Sequence, residues 1–310
     1  FDRAEDCSLQ TVQVAHMGAA GIAIGSRCAR CSVSDSIVED IAGNGVMIGE
    51  TGDRLVAGKP WWQQEPGQAT RDVSVSGCSI ARCGQQFGGA VGIWVGFAWH
   101  CRIVGNDIHH LPYTGVSLGW MWNPTPTPCG EHLVEDNEIH HVMQLLSDGG
   151  GIYTLGRQQG TVLRKNRIHD IPANLGRAGS NGMFLDEGTT DIVIEQNTIW
   201  NVDRSPLRFH RAGRNVVRQN LLLVRGDSPP VTYNSTDAAE PSPLAEPDMA
   251  DQTDNASPAP TEYNELTAAE ARVILHKGTE RAFVGEYTDL HDVGTFVCRR
   301  CNAPLYRSDD

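Results

Sequence analysis

Two short acidic motifs carry residue types that could perform acid–base chemistry. Asp148 precedes three glycines in SDGGGIYT, and Asp186 and Glu187 follow the strand-like stretch GMFL. Cleavage of a glycosidic bond requires paired carboxylates, because one donates a proton to the leaving oxygen while the other acts as nucleophile or activates water. His210 falls at the equivalent place one repeat after Glu187. These four side chains are therefore the candidate catalytic residues.

The elements that must position them belong to a repeat. An Asn follows a short apolar strand and begins a second one at intervals of 23 to 31 residues, at Asn106, Asn137, Asn166, Asn197 and Asn220. Another strand starts with Gly about 15 residues before each Asn, as in GIYT and GMFL. Short strands at such a period predict the stacked coils of a solenoid, with an Asn ladder at one turn. The shortest interval defines the bare coil, so the surplus residues should loop outward.

This pattern is typical of the right-handed parallel β-helix of the pectin-lyase type. We therefore predict an all-β fold for residues 1–225. Leucine-rich repeats would need far more Leu, and propeller blades would need about twice the strands per period.

The same register raises a difficulty for the acidic pair. Asp148 lies three residues before the Gly of its coil, whereas Asp186 lies four residues after its own. Seven residues of extended strand span roughly 23 Å, so the two carboxylates meet only if the Gly-rich segment curls back. Otherwise the closer set is Asp186, Glu187 and His210, with Glu50 as a further candidate. The alternative is that these acids simply end strands and cap turns.

Aromatic side chains mark the loops and one strand. Sugar rings stack on exposed tryptophan faces, so Trp94, Trp120 and Trp122 are candidate substrate-binding residues, and Tyr153 in the glycine-rich motif is another. The alternative is that the tryptophan rings only pack loops onto the solenoid.

The repeated His-His pairs admit two interpretations. Adjacent residues of a strand point to opposite faces, so only one His of each pair can face a given side. Stacked histidines could bind a metal, but we favour turn positions. His110 or His141 could still reach a substrate as an acid or base.

These motifs together resemble bacterial β-helix proteins related to glycoside hydrolase family 141. The residues that carry the likeness are NxIHH, SDGGGIYTLG and FLDEGT, over about 70–222. The resemblance implies a carbohydrate-active enzyme whose two catalytic aspartates match Asp148 and Asp186, and it implies no cofactor for the β-helix. A non-catalytic glycan-binding β-helix is the alternative.

Composition limits the partners. The chain of 310 residues has a formal net charge of −13, which disfavours nucleic acid because an acidic surface repels phosphate. No run of 18 apolar residues could span a membrane. We expect a monomer that binds a polysaccharide or oligosaccharide. The chain begins at Phe1, which we interpret as a truncation, so the compartment stays open; β-helix relatives are usually secreted or periplasmic.

The C-terminal part changes character twice. Residues 226–261 are rich in Pro, Ser, Asp and Ala, which predicts a disordered linker. Residues 262–310 form a separate segment, in which Thr267 and Glu270 predict a capping box. Cys298 and Cys301 form a CxxC motif, which is typical of half of a zinc knuckle.

This last segment resembles the start of the methionine-R-sulfoxide reductase family MsrB. The matching stretches are LT at 266, KGTE at 277, GEY at 285, the Cys298/Cys301 motif and PL at 304. The resemblance implies a peptide-methionine (R)-S-oxide reductase activity and assigns the two cysteines to the first zinc pair. No second pair and no nucleophilic Cys follow them, so we expect a truncated, inactive reductase segment with an incomplete zinc site.

Overall fold

The computed structural model describes residues 1–174, 176, 178–224, 226 and 228–236, five positions between 264 and 271, and two strands near the C-terminus. The chain divides into two compact units, Phe1–Pro243 and Leu244–Asp310, which are described separately. No helix of the described residues is long and apolar enough to cross a membrane.

The first unit is built from three parallel sheets of eight strands, and each coil adds one strand to each sheet. Sheet 1 contains Ser8–Gln10, Ser32–Ser34, Ser74–Ser76, Arg102–Val104, Leu133–Glu135, Arg157–Arg164, Thr190–Glu195 and Val216–Arg218. Sheet 2 contains Gln13–Ala15, Ile37–Ile41, Ser79–Cys83, Asp107–His109, Glu138–His140, Arg167–Ile171, Thr198–Val202 and Leu221–Leu222. Sheet 3 contains Ile22–Ile24, Val46–Ile48, Ile93–Val95, Val116–Leu118, Gly149–Thr154, Ser180–Leu185, Leu207–His210 and Val231–Asn234. The predicted parallel β-helix is confirmed.

Alternation along each strand forms the core. In sheet 3 the residues that face inward form in-register apolar rows, such as Val116, Ile152, Met183 and Leu207, and all four side chains are fully buried. The residue that precedes this row must be glycine, because the packed core leaves no space for a Cβ there. A Cβ on Gly151 would lie 2.5 Å from Ile168 Cγ2, which explains the Gly that marks the start of these strands in the sequence.

The Asn ladder runs along the turn between sheets 1 and 2. Asn137 Nδ2 donates to Asn166 Oδ1 at 2.9 Å, and Asn166 Nδ2 donates to Asn197 Oδ1 at 3.0 Å. Each Nδ2 also donates to a carbonyl of a neighbouring coil, such as Val134 O. The buried amides therefore satisfy one another, as repetition predicts.

Both long insertions lie on the connection from sheet 3 to sheet 1. The first holds a hairpin, Leu55–Val56 with Lys59–Pro60, followed by the helix Trp61–Gln64 and the 3-10 turn Pro66–Gln68. The short strand Thr70–Arg71 then pairs with Ala98–Trp99. The second insertion covers about 119–132. Both loops therefore flank the same end of the sheet 3 strands.

The solenoid extends beyond its predicted end. Val231–Asn234 pairs in parallel with Leu207–His210 as the eighth strand of sheet 3. The expected boundary at 225 and a disordered linker from 226 are therefore wrong for 228–236. The sequence signal was weak because prolines stand where the earlier strands carry glycine. Residues 237–261 of the predicted linker lie outside the described residues.

Two features of the second unit are described. Thr267 and Glu270 form the predicted capping box, since Thr267 N donates to Glu270 Oε2 at 2.7 Å and Glu270 N donates to Thr267 Oγ1 at 3.3 Å. The strands Thr295–Val297 and Pro304–Arg307 pair antiparallel. Cys298 follows the first of these strands directly, as expected, but both cysteines of the CxxC lie outside the described residues.

Candidate active site on sheet 3

The outward-facing side chains of sheet 3 form a polar and aromatic row. Trp94, Ser117, Tyr153, Phe184 and Arg208 stand in register on successive strands. Trp94, Ser117 and Phe184 are buried within this row, so Tyr153 and Arg208 provide its partly exposed part. The candidate residues of the acidic motifs lie along this face and at its two ends.

Asp186 is the best-defined carboxylate of the face. It follows the strand Ser180–Leu185 and is only 8% exposed. Tyr153 Oη donates to its Oδ2 at 2.6 Å, and His210 Nδ1 donates to its Oδ1 at 2.7 Å. Burial and the neighbouring Asp186 carboxylate raise the pKa of Tyr153. Both carboxylate oxygens of Asp186 are therefore held in fixed positions by neutral or cationic donors.

Glu187 completes what we call the Asp186 cluster, formed by Tyr153, Asp186, Glu187 and His210. Ligand atoms of Asp186, Glu187 and His210 all lie within 4.8 Å of one another. Within the part of the chain that the structure describes, no other group of three such side chains meets that spacing. Two carboxylates and an imidazole are suitable ligands for a divalent cation, but Arg211 Nη1 donates to Glu187 Oε1 at 2.8 Å and would compete with it.

Asp148 lies at the opposite end of the sheet 3 strand. It precedes Gly149–Thr154 with a left-handed φ of 64°, and its side chain is 62% exposed. Arg208 Nη1 is 3.7 Å from its Oδ1. The backbone carbonyl of Asp148 accepts a hydrogen bond of 2.8 Å from Tyr113 Oη.

The two aspartates share a region of this face. Burial, followed by the Asp148 carboxylate and more weakly Asp186, raises the pKa of Tyr113 to about 12. The same two carboxylates add to the raised pKa of Tyr153. Arg208, which contacts Asp148, lies two residues before His210 on one strand, and His210 is hydrogen-bonded to Asp186; Asp148 itself is outside the Asp186 cluster.

The tryptophans form a chain of rings beside the site. Trp94 and Trp120 are 5.5 Å apart between ring centroids, and Trp120 and Trp122 are 5.0 Å apart. Trp94 is buried beneath the loop, whereas Trp122 is 49% exposed. The loop rests against the turn that follows Asp186, because a Cβ on Gly188 would lie 2.3 Å from the carbonyl carbon of Asn123. Packing thus accounts for Trp94, while Trp122 remains open to a ligand.

The structure does not bring His110 and His141 to this face. Both occupy left-handed turn positions after strands of sheet 2, with φ of 54° and 51°. Their rings stack on each other at 5.0 Å, and their Nδ1 atoms lie 2.7 and 2.8 Å from Nδ1 of His109 and His140. Their described partners are therefore imidazoles of sheet 2.

Sequence reasoning missed Arg208 and Tyr113. Arg208 occupies the outward row directly after Phe184, and its guanidinium carbon lies 4.3 Å from the centre of that ring. The strand Leu207–His210 begins after Pro206 and lacks the glycine that marked the other strands. The sequence places His210 one coil after Glu187, whereas the structure pairs Leu185 with Phe209 and so sets His210 beside Asp186. The repeat could still have located Arg208, which lies two residues before His210.

Comparison with known protein families matches two separate stretches of the chain. Residues 91–226 match the family model described as "Right handed beta helix region", and residues 266–310 match the model described as "SelR domain". The β-helix is therefore right-handed, as predicted.

Two solved structures share the fold. A protein described as "Glycoside hydrolase" matches with a TM-score of 0.64 at 24% identity, over 71% of this chain and 37% of that one. A mutant tailspike protein of E. coli bacteriophage HK620, in complex with a pentasaccharide, matches with a TM-score of 0.50 at 10% identity, over 74% of this chain and 41% of that one. At such identities the likeness concerns the fold alone.

The C-terminal segment is similar to curated reductases. "Peptide methionine sulfoxide reductase MsrB" of Teredinibacter turnerae and of Saccharophagus degradans are each 47% identical to it over 45 residues, which is 14% of this chain. These residues cover 33% and 34% of the two relatives, so the chain spans about a third of their length. The chain thus joins a right-handed β-helix region to a segment of the SelR domain.

Proposed function

We propose that the β-helix is a glycoside hydrolase whose reaction takes place on the outer face of sheet 3. The observation that carries the proposal is the Asp186 carboxylate, which is nearly buried and held by Tyr153 and His210. A carboxylate fixed in this way is suited to act as nucleophile or general base, because it need not reorganise as charge develops on the sugar.

Asp148 supplies the second carboxylate of the proposed reaction. Its exposed side chain lies beside Arg208 at the other end of the face, where it can donate a proton to a leaving oxygen. Glu187 is the closer alternative because its carboxylate lies within 4.8 Å of an oxygen of Asp186, but Arg211 Nη1 already occupies its Oε1 at 2.8 Å.

The polar side chains of the row and the exposed ring of Trp122 favour a saccharide as the substrate. Tyr153 and Arg208 offer hydrogen bonds on the face, and Trp122 offers an apolar ring at its border. Flat aromatic rings next to polar groups suit sugars, which have both CH and OH surfaces.

The test is hydrolysis of a panel of plant and microbial oligosaccharides, followed by Asp186→Asn and Asp148→Asn on any substrate that is cleaved. We expect each variant to lose about 10²- to 10⁴-fold in rate, since each removes one carboxylate but keeps the shape. Glu195→Gln on sheet 1, which breaks an exposed ion pair with Arg218, should retain the activity. Full activity in Asp186→Asn would disprove the proposal, and binding without cleavage would favour the glycan-binding alternative.

Peptide-methionine (R)-S-oxide reduction is the second candidate function. The observation that favours it is the SelR match at 266–310. Cys298 and Cys301 would then hold zinc with two further ligands, because structural zinc takes four. The solenoid would be an accessory part of such a protein.

A further inference from the structure

A cavity beside the proposed site offers a cationic lining. Its volume is about 390 Å³, and it lies between the last coils at the start of their sheet 3 strands. Arg204, Arg208, Asn181, Ser205, Thr232 and Asn234 contribute most of its polar surface. Among the described residues that line it there is no carboxylate, although the chain as a whole is strongly acidic.

Arg208 is held ready to bind an anion. Its Nε donates to Asn234 Oδ1 at 3.0 Å, and its guanidinium lies over the Phe184 ring. The Asp148 carboxylate forms a long ion pair with it, with Nη1 3.7 Å from Oδ1, so an anionic ligand would share the guanidinium with this carboxylate. A guanidinium has five N–H donors, so most of them remain available in a plane fixed by the ring and by Asn234.

Arg204 adds a second positive charge at the cavity. Its aliphatic stem packs on Gly179, where a Cβ would lie 2.2 Å from Arg204 Cγ, and only the exposed head pairs with Asp203 at 3.3 Å. Neutral donors and acceptors complete the lining, and the Ser205 and Thr232 hydroxyls are hydrogen-bonded to each other. Two guanidiniums that line one cavity together with hydroxyl and amide groups are suited to a carboxylate or sulfate.

Arg208 of the cavity lining and His210 of the Asp186 cluster lie on the same strand. Arg208 and His210 lie two residues apart on the same strand and the same face, which is roughly 7 Å. We propose that the cavity is a subsite for a sugar with an anionic group, a uronate or a sulfated sugar, next to the bond that is cleaved. This inference rests on the proposed function and defines its substrate class.

Binding measurements test the subsite without requiring turnover. Titration calorimetry of the full chain with trigalacturonate and with cellotriose compares an acidic and a neutral trisaccharide, and glucuronate against glucose 6-sulfate compares the two anionic groups. We expect the acidic trisaccharide to bind at least about tenfold more tightly, as one charged hydrogen-bonded pair provides. Equal affinities for the two trisaccharides, or no binding of either up to 10 mM-scale concentrations, would overturn the inference.

Variants locate the effect. Arg208→Gln should weaken trigalacturonate binding at least about tenfold and leave cellotriose unchanged, whereas Arg208→Lys should retain part of the preference because the charge remains. Arg157→Gln, on sheet 1 and paired with Asp191, is the matched control and should bind like the wild type. An unchanged acidic preference in a folded Arg208→Gln protein would reject the cavity as its source. A chain that binds uronates but cleaves nothing would keep the subsite and reject the hydrolase.

Discussion

His132 shows how one buried polar side chain can make stability depend on pH. Its Nδ1 accepts a hydrogen bond from Cys101 N at 3.1 Å, and its Nε2 lies 3.4 Å from Cys129 Sγ. The thiol in turn contacts Gln158 Oε1 at 3.5 Å. Since Nδ1 accepts, the proton resides on Nε2 and the ring is neutral. Burial lowers the pKa of His132 to about 3.

This lowered pKa predicts acid destabilisation. Below about pH 6.5 the unfolded chain binds a proton at His132 that the folded chain excludes until about pH 3, so stability falls as pH decreases, by roughly 2 kcal/mol between pH 6.5 and 5. His132→Gln keeps a polar group but removes this proton uptake, so its urea midpoint should fall less steeply over the same range. Equal pH slopes of the two midpoints would contradict the assignment.

The sequence repeat predicts some contacts of the Asp186 cluster but not others. Asp186, Glu187 and His210 could be predicted as neighbours because a one-coil step relates them. Tyr153 was predicted to bind substrate, yet its hydrogen bond to Asp186 could not be predicted because it depends on a side-chain torsion. The position of Asp148 depends on its left-handed backbone conformation before Gly149. Counting residues along an extended strand does not predict such a turn.

The Asn ladder is the element on which the coil register depends. Asn166 accepts from both Asn137 N and Asn137 Nδ2, and donates to Asn197 Oδ1 and Val134 O. The ladder could be predicted in full from the sequence, because each amide recurs after the same apolar strand. The conformations of the inserted loops could not be predicted, since the loop lengths vary from coil to coil.

Replacing a central rung should therefore cost more than replacing the last one. Asn166→Leu leaves two N–H groups of Asn137 and the Val134 carbonyl without a partner in a dry interior, which we expect to cost roughly 3 kcal/mol or more. Asn220→Leu removes the same contacts at the half-exposed end of the ladder, where water can replace them, and should cost below about 1 kcal/mol. Thermal melts of the two variants provide the comparison. Similar losses of stability would show that the buried hydrogen bonds of the ladder do not set the cost of the substitution.

At the scale of the whole molecule, the two units differ in the protein families that they resemble. The first unit is a solenoid in which each coil contacts its neighbours, so its site can be built from three successive coils. The second unit carries the SelR sequence at 266–310. Composition predicts a change of character after 225, but the last strand of the solenoid could not be predicted, because Val231–Asn234 lies within a proline-rich stretch.

The cysteines decide whether this chain can reduce methionine sulfoxide. Reduction requires a thiolate that attacks the sulfoxide and becomes a sulfenic acid. Burial raises the pKa of the Cys83 and Cys129 thiols to about 12 and also raises the pKa of Cys28, Cys78 and Cys101. Burial therefore disfavours the thiolate form of these five thiols at neutral pH.

Only Cys298 and Cys301 stand in the SelR-like segment, and the likeness to MsrB assigns them to zinc. We therefore expect the 310-residue chain, with dithiothreitol as reductant, to reduce a methionine-R-sulfoxide peptide no faster than its Cys298→Ser/Cys301→Ser variant. A full-length MsrB assayed in parallel would verify the substrate and the reductant. Turnover that disappears in the double variant would instead make the reductase a function of this chain, with one of these two thiols as its nucleophile.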